Sequence, residues 1–186
     1  MESLNFYLCS IILIITLISC TPIQRTEVGV RQNFEMKLDS LGVKLQAPSP
    51  PVANYVNAVR TGNLIFLAGK GPKDDNGKNI TGRLGEDLSI EQGYKAARQI
   101  GIAQLSVLKN ELGDLNKVIR IVKVLGFVQC TDDFMDQPKV INGFSDLMVE
   151  VFGDKGKHAR AAVGTNALPG GICAEIEMIV EIKGDK

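Results

Sequence analysis

The chain has 186 residues, 45% of them hydrophobic, which is enough for one packed domain. Its 21 Lys and Arg balance 21 Asp and Glu with no basic run, and Trp is absent, so neither a nucleic-acid surface nor a base-stacking platform is expected. A single histidine, His158, excludes a multi-histidine metal site and leaves one residue on which a Ser-His-Asp triad could be built. No G-x-G-x-x-G or phosphate loop occurs, and no cofactor or metal is expected.

Residues 8–18 are almost unbroken Ile and Leu, interrupted by Cys9, Ser10 and Thr16. A membrane span needs roughly 20 apolar residues, so this run fits the apolar core of a secretory signal. It ends Leu17-Ile18-Ser19-Cys20, which resembles a bacterial lipobox with the lipid-bearing cysteine, Cys20, at the first mature position. Met1-Glu2-Ser3-Leu4-Asn5 carries no Lys or Arg, which leaves an uncleaved anchor or a plain signal peptide as alternatives. Each buried methylene of an acyl chain contributes roughly 0.8 kcal/mol, so several chains on Cys20 would anchor stably. The expected organisation is a lipoprotein signal peptide over 1–19, a tether and short helix over 20–40, and a globular domain over 41–183. The expected location is the cell envelope, lipid-anchored, with a secreted or periplasmic protein as the alternative.

Residues 32–41 predict a short helix ending at Gly42. Pro48-Ser49-Pro50-Pro51 is a stiff connector. Residues 55–60 and 64–68 read as a hairpin turning at Thr61-Gly62-Asn63, and residues 73–77 as a further turn. Ser89-Ile90-Glu91-Gln92 is a capping box, opening a helix that stops at Gly113 and buries Ala96, Ala97, Ile100, Ala103, Leu105, Val107 and Leu108. The apolar run 118–128 reads as a central strand. Pro138 opens a second helix through Phe152 with Val140, Ile141, Phe144, Leu147, Met148 and Val151 inward. Residues 160–183 read as a closing hairpin. The order is α+β, with two helices covering one face of a sheet, so the other face needs a partner.

Cys9 and Cys20 belong to the targeting segment, and Cys130 and Cys173 alone do not make a disulfide framework. Cys173 could be a catalytic thiol, but no partner base is evident; the competing reading is a half-buried strand cysteine. The most informative stretch runs from His158 to Glu177. Arg160 lies on its first arm and Glu175 on its second, either side of Leu168-Pro169-Gly170-Gly171. Facing across a hairpin, the guanidinium could fork onto a substrate carboxylate while the glutamate activates a water. A structural cross-strand ion pair fits the same spacing.

This stretch resembles the C-terminal signature of the reactive intermediate deaminases, the Rid or YjgF-like family, also labelled endoribonuclease L-PSP-like. The likeness extends to Ala47-Pro48, to Ala53-Asn54-Tyr55-Val56, to Gly62-Asn63-Leu64-Ile65-Phe66-Leu67-Ala68-Gly69 and to Gly113-Asp114-Leu115-Asn116-Lys117-Val118-Ile119-Arg120. It covers residues 41–183. The resemblance implies a chorismate-mutase-like mixed sheet with two helices on one face, and a homotrimer with clefts between subunits. It implies hydrolysis of enamines and imines of 2-amino acids to 2-keto acids and ammonia. By the same likeness, Arg160 would be the clamp, Glu175 the water holder, and Tyr55, Asn142, Ala68 and Gly69 substrate-binding. Two departures stand out. Ala68-Gly69-Lys70 replaces the family's usual Ser-Gly-Gln, removing a hydroxyl and adding a cation that could bind an anion or lie in solvent. Ala162 stands where a cysteine is often found.

Three functions compete: an envelope-tethered imine deaminase, a non-catalytic trimer binding small carboxylates, and an endoribonuclease. Glu175 favours the first and Ala68 the second. The neutral charge counts against the third, because phosphate contacts need cationic clusters.

Overall fold

The computed structural model describes residues 33–184. The signal segment, the lipobox and Cys20 lie outside the described residues. Among the described residues no helix is long and apolar enough to cross a membrane.

Asn33 caps the first helix, α1 (Phe34–Ser40), through its side chain. Phe34 and Leu38 are buried in the main core, and the Phe34 ring meets Phe152 edge-on at 4.8 Å. Strands β1 (Ala58–Thr61) and β2 (Leu64–Lys70) form the expected hairpin through Gly62 and Asn63. Its first arm begins at Ala58, so Tyr55 precedes the strand. Asn57 and Tyr55 are in a turn-rich segment held by the Tyr55 amide on the Ala53 carbonyl. Helix α2 (Ile90–Leu112) has the complete capping box between Ser89 and Gln92 and ends at Gly113 with positive φ. Strand β3 (Val118–Gln129), helix α3 (Gln137–Phe152), strand β4 (Ala159–Thr165) and strand β5 (Ala174–Ile182) follow.

The sheet order is β1-β2-β5-β3-β4, with β3 and β4 parallel and every other pair antiparallel. Residues 160–183 therefore do not form a hairpin: β3 lies between β4 and β5. The cause is local. Strand β3, helix α3 and strand β4 are consecutive, and two parallel strands joined by a crossover helix lie side by side. That pairing uses one edge of β3, and β5 takes the other. Gln129, at the end of β3, fastens the crossing segment: its amide donates to the Cys173 carbonyl at 2.9 Å, and its Oε1 accepts from the Leu168 amide at 2.8 Å.

Strand alternation, reset in β3 by register shifts near Ile119 and Val122, sends Val118, Ile121, Val124 and Val128 of β3, and Ala174, Ile176, Met178 and Val180 of β5, to the helical side, where all are buried. Burial of each Val, Ile or Met among them contributes about 1.5–3 kcal/mol. Helix α2 packs over β2 and β5, and α3 over β3 and β4. The two helices lie close because Gly143 has no side chain: a Cβ there would strike the Tyr94 carbonyl. The opposite face keeps apolar groups in water. Val59, Phe66 and Val163 are 57%, 42% and 42% exposed, and register puts Val59 beside Phe66, and Val163 beside Phe127, on that same face.

Candidate functional site

Arg160 and Glu175 belong to different faces of the sheet. Arg160 pairs in register with Val124, whose side chain is on the helical side; Glu175 pairs with Phe127, three residues on and so on the open side. Their strands are separated by β3, about 10 Å between backbones at ordinary strand spacing. Neither the catalytic pairing within one hairpin nor the cross-strand ion pair exists in this chain. The βαβ order, with β3 between them, excludes both.

The arginine half of the site is built on the β4 edge. Arg160 Nη1 donates to Asn142 Oδ1 at 2.9 Å and to Ser145 Oγ at 2.9 Å. Asn142 and Ser145 are three residues apart on α3 and so share a helix face. Both Nη1 hydrogens are thereby used. Among the described residues, no acceptor is bonded to Nε or Nη2; the Nε–H and one Nη2–H form the side edge of the guanidinium. Ser145 Oγ also lies 3.0 Å from His158 Nε2, and His158 Nδ1 lies 2.6 Å from the Gly156 carbonyl. Burial pushes His158 below its ordinary value of 6.5, aided by the Arg160 charge, against the raising effect of the Gly156 carbonyl. Asn142, expected as a substrate contact, is in the structure an acceptor for Arg160. Ser145 carries no signal in the sequence, and His158 enters it only as the single histidine and the one possible triad base; it lies just ahead of β4, two residues before Arg160.

The glutamate half lies where β2 meets β5. The register between them shifts between Leu67 and Lys70, a bulge that includes Ala68 and Gly69. Glu175 reaches over Gly69, and a Cβ on Gly69 would collide with its Oε1. The space for the carboxylate is the missing side chain. Burial raises the Glu175 carboxyl above the ordinary carboxylate range, and the neighbouring Glu177 charge raises it further. The bulge is tied from below by Gln104, an unforeseen buried polar residue of α2. Its Nε2 donates to the Ala68 carbonyl at 2.9 Å and to the Ile176 carbonyl at 2.7 Å. Ala68 and Gly69 thus stand beside Glu175, while Tyr55 is 47% exposed and, among the described residues, no hydrogen bond from its hydroxyl joins it to either half.

Lys70 does not lie free in solvent: it is half-buried and its Nζ donates to the neutral Asn57 Oδ1 at 2.5 Å. Burial, then the Lys73 charge, lowers its pKa. Cys173 is fully buried rather than half-buried, and burial pushes its thiol up to about 11, so it is a thiol and no nucleophile near neutral pH. Cys130 and Cys173 are both free. Among the described residues no group of three or more His, Cys, Asp or Glu could hold a metal ion.

A five-stranded mixed sheet with the helices on one side places the chain in the α+β class. Within it the chain belongs to the Rid or YjgF-like family: the family model described as "YjgF/chorismate mutase-like, putative endoribonuclease" matches residues 35–181. The chain is 42% identical to protein TCP17 of Trypanosoma cruzi over 146 residues, 78% of this chain and 91% of that one. It is 30% identical to a RutC family protein of Pyrococcus abyssi over 136 residues, 72% of this chain and 90% of that one. A solved structure of a protein of unknown function from Agrobacterium tumefaciens is similar at 38% identity with a TM-score of 0.75, covering 82% of this chain and 96% of that one.

Proposed function

We propose that the chain is a hydrolytic deaminase of 2-imino acids, working as a homotrimer with each active site shared between two copies. The observation that carries this is the Arg160 fork, which is oriented by two α3 acceptors and keeps its Nε–Nη2 edge for a carboxylate. The substrate's carboxylate docks there. Glu175 of a neighbouring copy holds a water, accepts its proton as it attacks the imine carbon, and returns a proton to the departing ammonia. Its raised pKa suits both steps, because a carboxyl shifted toward neutrality is the better base and is still able to give the proton back. Since the two residues are on opposite faces and separated by β3, one chain cannot bring them to one substrate. The exposed apolar open face is the surface that another copy would cover. Cys20 would carry the lipid that holds the trimer at the envelope.

The test is a coupled assay. The purified protein is added to an amino-acid oxidase that generates imino acids, and keto-acid release is timed; acceleration is expected. Light scattering should give three copies, and a stable monomer overturns the shared site. Mass spectrometry of the membrane fraction checks the lipid on Cys20, and a soluble mature chain beginning elsewhere overturns the anchor. One observation favours a second reading. Ala68 brings no hydroxyl to the bulge, so a trimer that binds 2-keto acids without hydrolysing imines would fit a carboxylate-binding role.

A further inference from the structure

We propose that Ser145 and His158 are a positioning pair for Arg160, selecting which edge of its guanidinium meets the ligand. This rests on the carboxylate-clamp reading of Arg160. The direction of each hydrogen bond follows from chemistry. The Gly156 carbonyl can only accept, so His158 Nδ1 carries the proton and Nε2 presents a lone pair. Ser145 therefore donates its hydroxyl hydrogen to Nε2 and turns an oxygen lone pair to Arg160 Nη1. A serine hydroxyl without that histidine could rotate its hydrogen toward the arginine; with it, the hydroxyl is fixed as an acceptor. Asn142 takes the second Nη1 hydrogen. The result is a guanidinium pinned by one nitrogen, with the Nε and Nη2 hydrogens parallel and left for the two oxygens of a carboxylate. Burial supports this arrangement by keeping the imidazole neutral at neutral pH. Removing Asn142 alone leaves the Ser145 contact; removing Ser145 disconnects His158 from the site.

The experiment uses the full chain carrying isotope-labelled arginine. In the parent, pinning of Nη1 slows rotation about the Cζ–Nε bond, so Nη1 and Nη2 of Arg160 give separate NMR signals. In Ser145→Ala they merge, and in His158→Ala, a second variant, they broaden or merge; Ser145→Thr, which returns a hydroxyl, separates them again. Calorimetric titration with a small 2-keto acid should show roughly tenfold weaker binding for Ser145→Ala, with melting temperature close to the parent. Separate signals that persist in both alanine variants overturn the positioning pair and leave the clamp reading standing. A parent with pinned signals that binds no 2-keto acid overturns the clamp reading, and the ligand-selecting part of this inference with it. Equal loss of binding in Ser145→Ala and Ser145→Thr shows that the hydroxyl is irrelevant and overturns it as well.

Discussion

The two halves of the site are held in place by opposite means. At the β4 edge, Arg160 is fixed by what touches it: Asn142, Ser145 and, through the serine, His158. At the β2–β5 bulge, Glu175 is placed by what is missing, the side chain of Gly69. The first arrangement fixes an orientation, which is what recognition of a planar carboxylate needs. The second leaves a carboxylate in a confined, partly dry space beside another acid, which raises its basicity. On the proposed function, binding falls to a rigid helix-supported edge and proton transfer to a bulge. Mutations should separate the two functions cleanly.

The largest effect is expected at the bulge. Glu175→Gln removes the proton acceptor, and hydrolysis in the oxidase-coupled assay should fall by about 10²–10⁴-fold while 2-keto acid binding is kept. Because burial disfavours the charged form of Glu175, the amide should melt no lower than the parent at neutral pH. Arg160→Lys sits on the other side of the comparison. A point charge cannot reproduce the fork, so calorimetry should show binding weakened by about 100-fold with the fold intact. If lysine binds the keto acid as tightly as arginine, the clamp assignment is wrong. Gly69→Ala should leave binding alone yet displace the Glu175 carboxylate; a misplacement of about 1 Å costs on the order of 100-fold in rate. A glycine-to-alanine variant with parental turnover would show that Glu175 is not placed by that gap.

Mixing the two inactive chains sharpens the comparison further. Arg160→Lys chains keep Glu175, and Glu175→Gln chains keep Arg160. If each site draws one residue from each of two neighbours, co-refolded equal mixtures of a symmetric trimer should recover roughly a quarter of parental activity. If the residues acted within one chain, no mixture would recover any. The measurement is turnover against mixing ratio, with the unmixed variants as baselines.

The sequence discloses the elements better than their neighbours. The capping box at Ser89, the inward face of α3 and the alternation of β5 are local patterns, and each of them is present in the structure. What was misread is the pairing of β4 with β5, since proximity in sequence across Leu168-Pro169-Gly170-Gly171 resembles a hairpin. The correcting signal was available: strand, helix and strand in succession from Val118 to Thr165 mark a parallel pair, which forces β5 to the far side of β3. Asn142 was legible as a site candidate because the family resemblance names it, though as a substrate contact and not as the Arg160 acceptor that it is in the structure. Ser145, His158 and Gln104 were not, because their roles depend on contacts between α3 and β4, or between α2 and the bulge, that no spacing encodes. Buried polar residues of this kind are identified only by their partners.

The smallest expected effect isolates the arginine half without any ligand. His158 is partly buried and its pKa lies below 6.5, with burial as the largest cause and the Arg160 charge adding to it. The unfolded chain therefore takes up a proton at His158 before the folded chain does. Stability from this group is present above 6.5 and falls as pH drops toward the folded value; below that value both states are protonated and no further loss occurs. Glu175 has the opposite sign. Its raised pKa means that the folded chain protonates first, so acidification through that window adds stability. The two contributions partly cancel in the parent. In the Glu175→Gln background the contribution of His158 is no longer offset by Glu175, and the melting temperature should decline by a few degrees at most as pH falls from about 7 toward 5. His158→Gln in that same background should flatten the decline. A slope unchanged by His158→Gln would mean that the imidazole is no more buried in the folded chain than in the unfolded one, and that the hydrogen-bonded chain from Gly156 to Arg160 does not hold in solution.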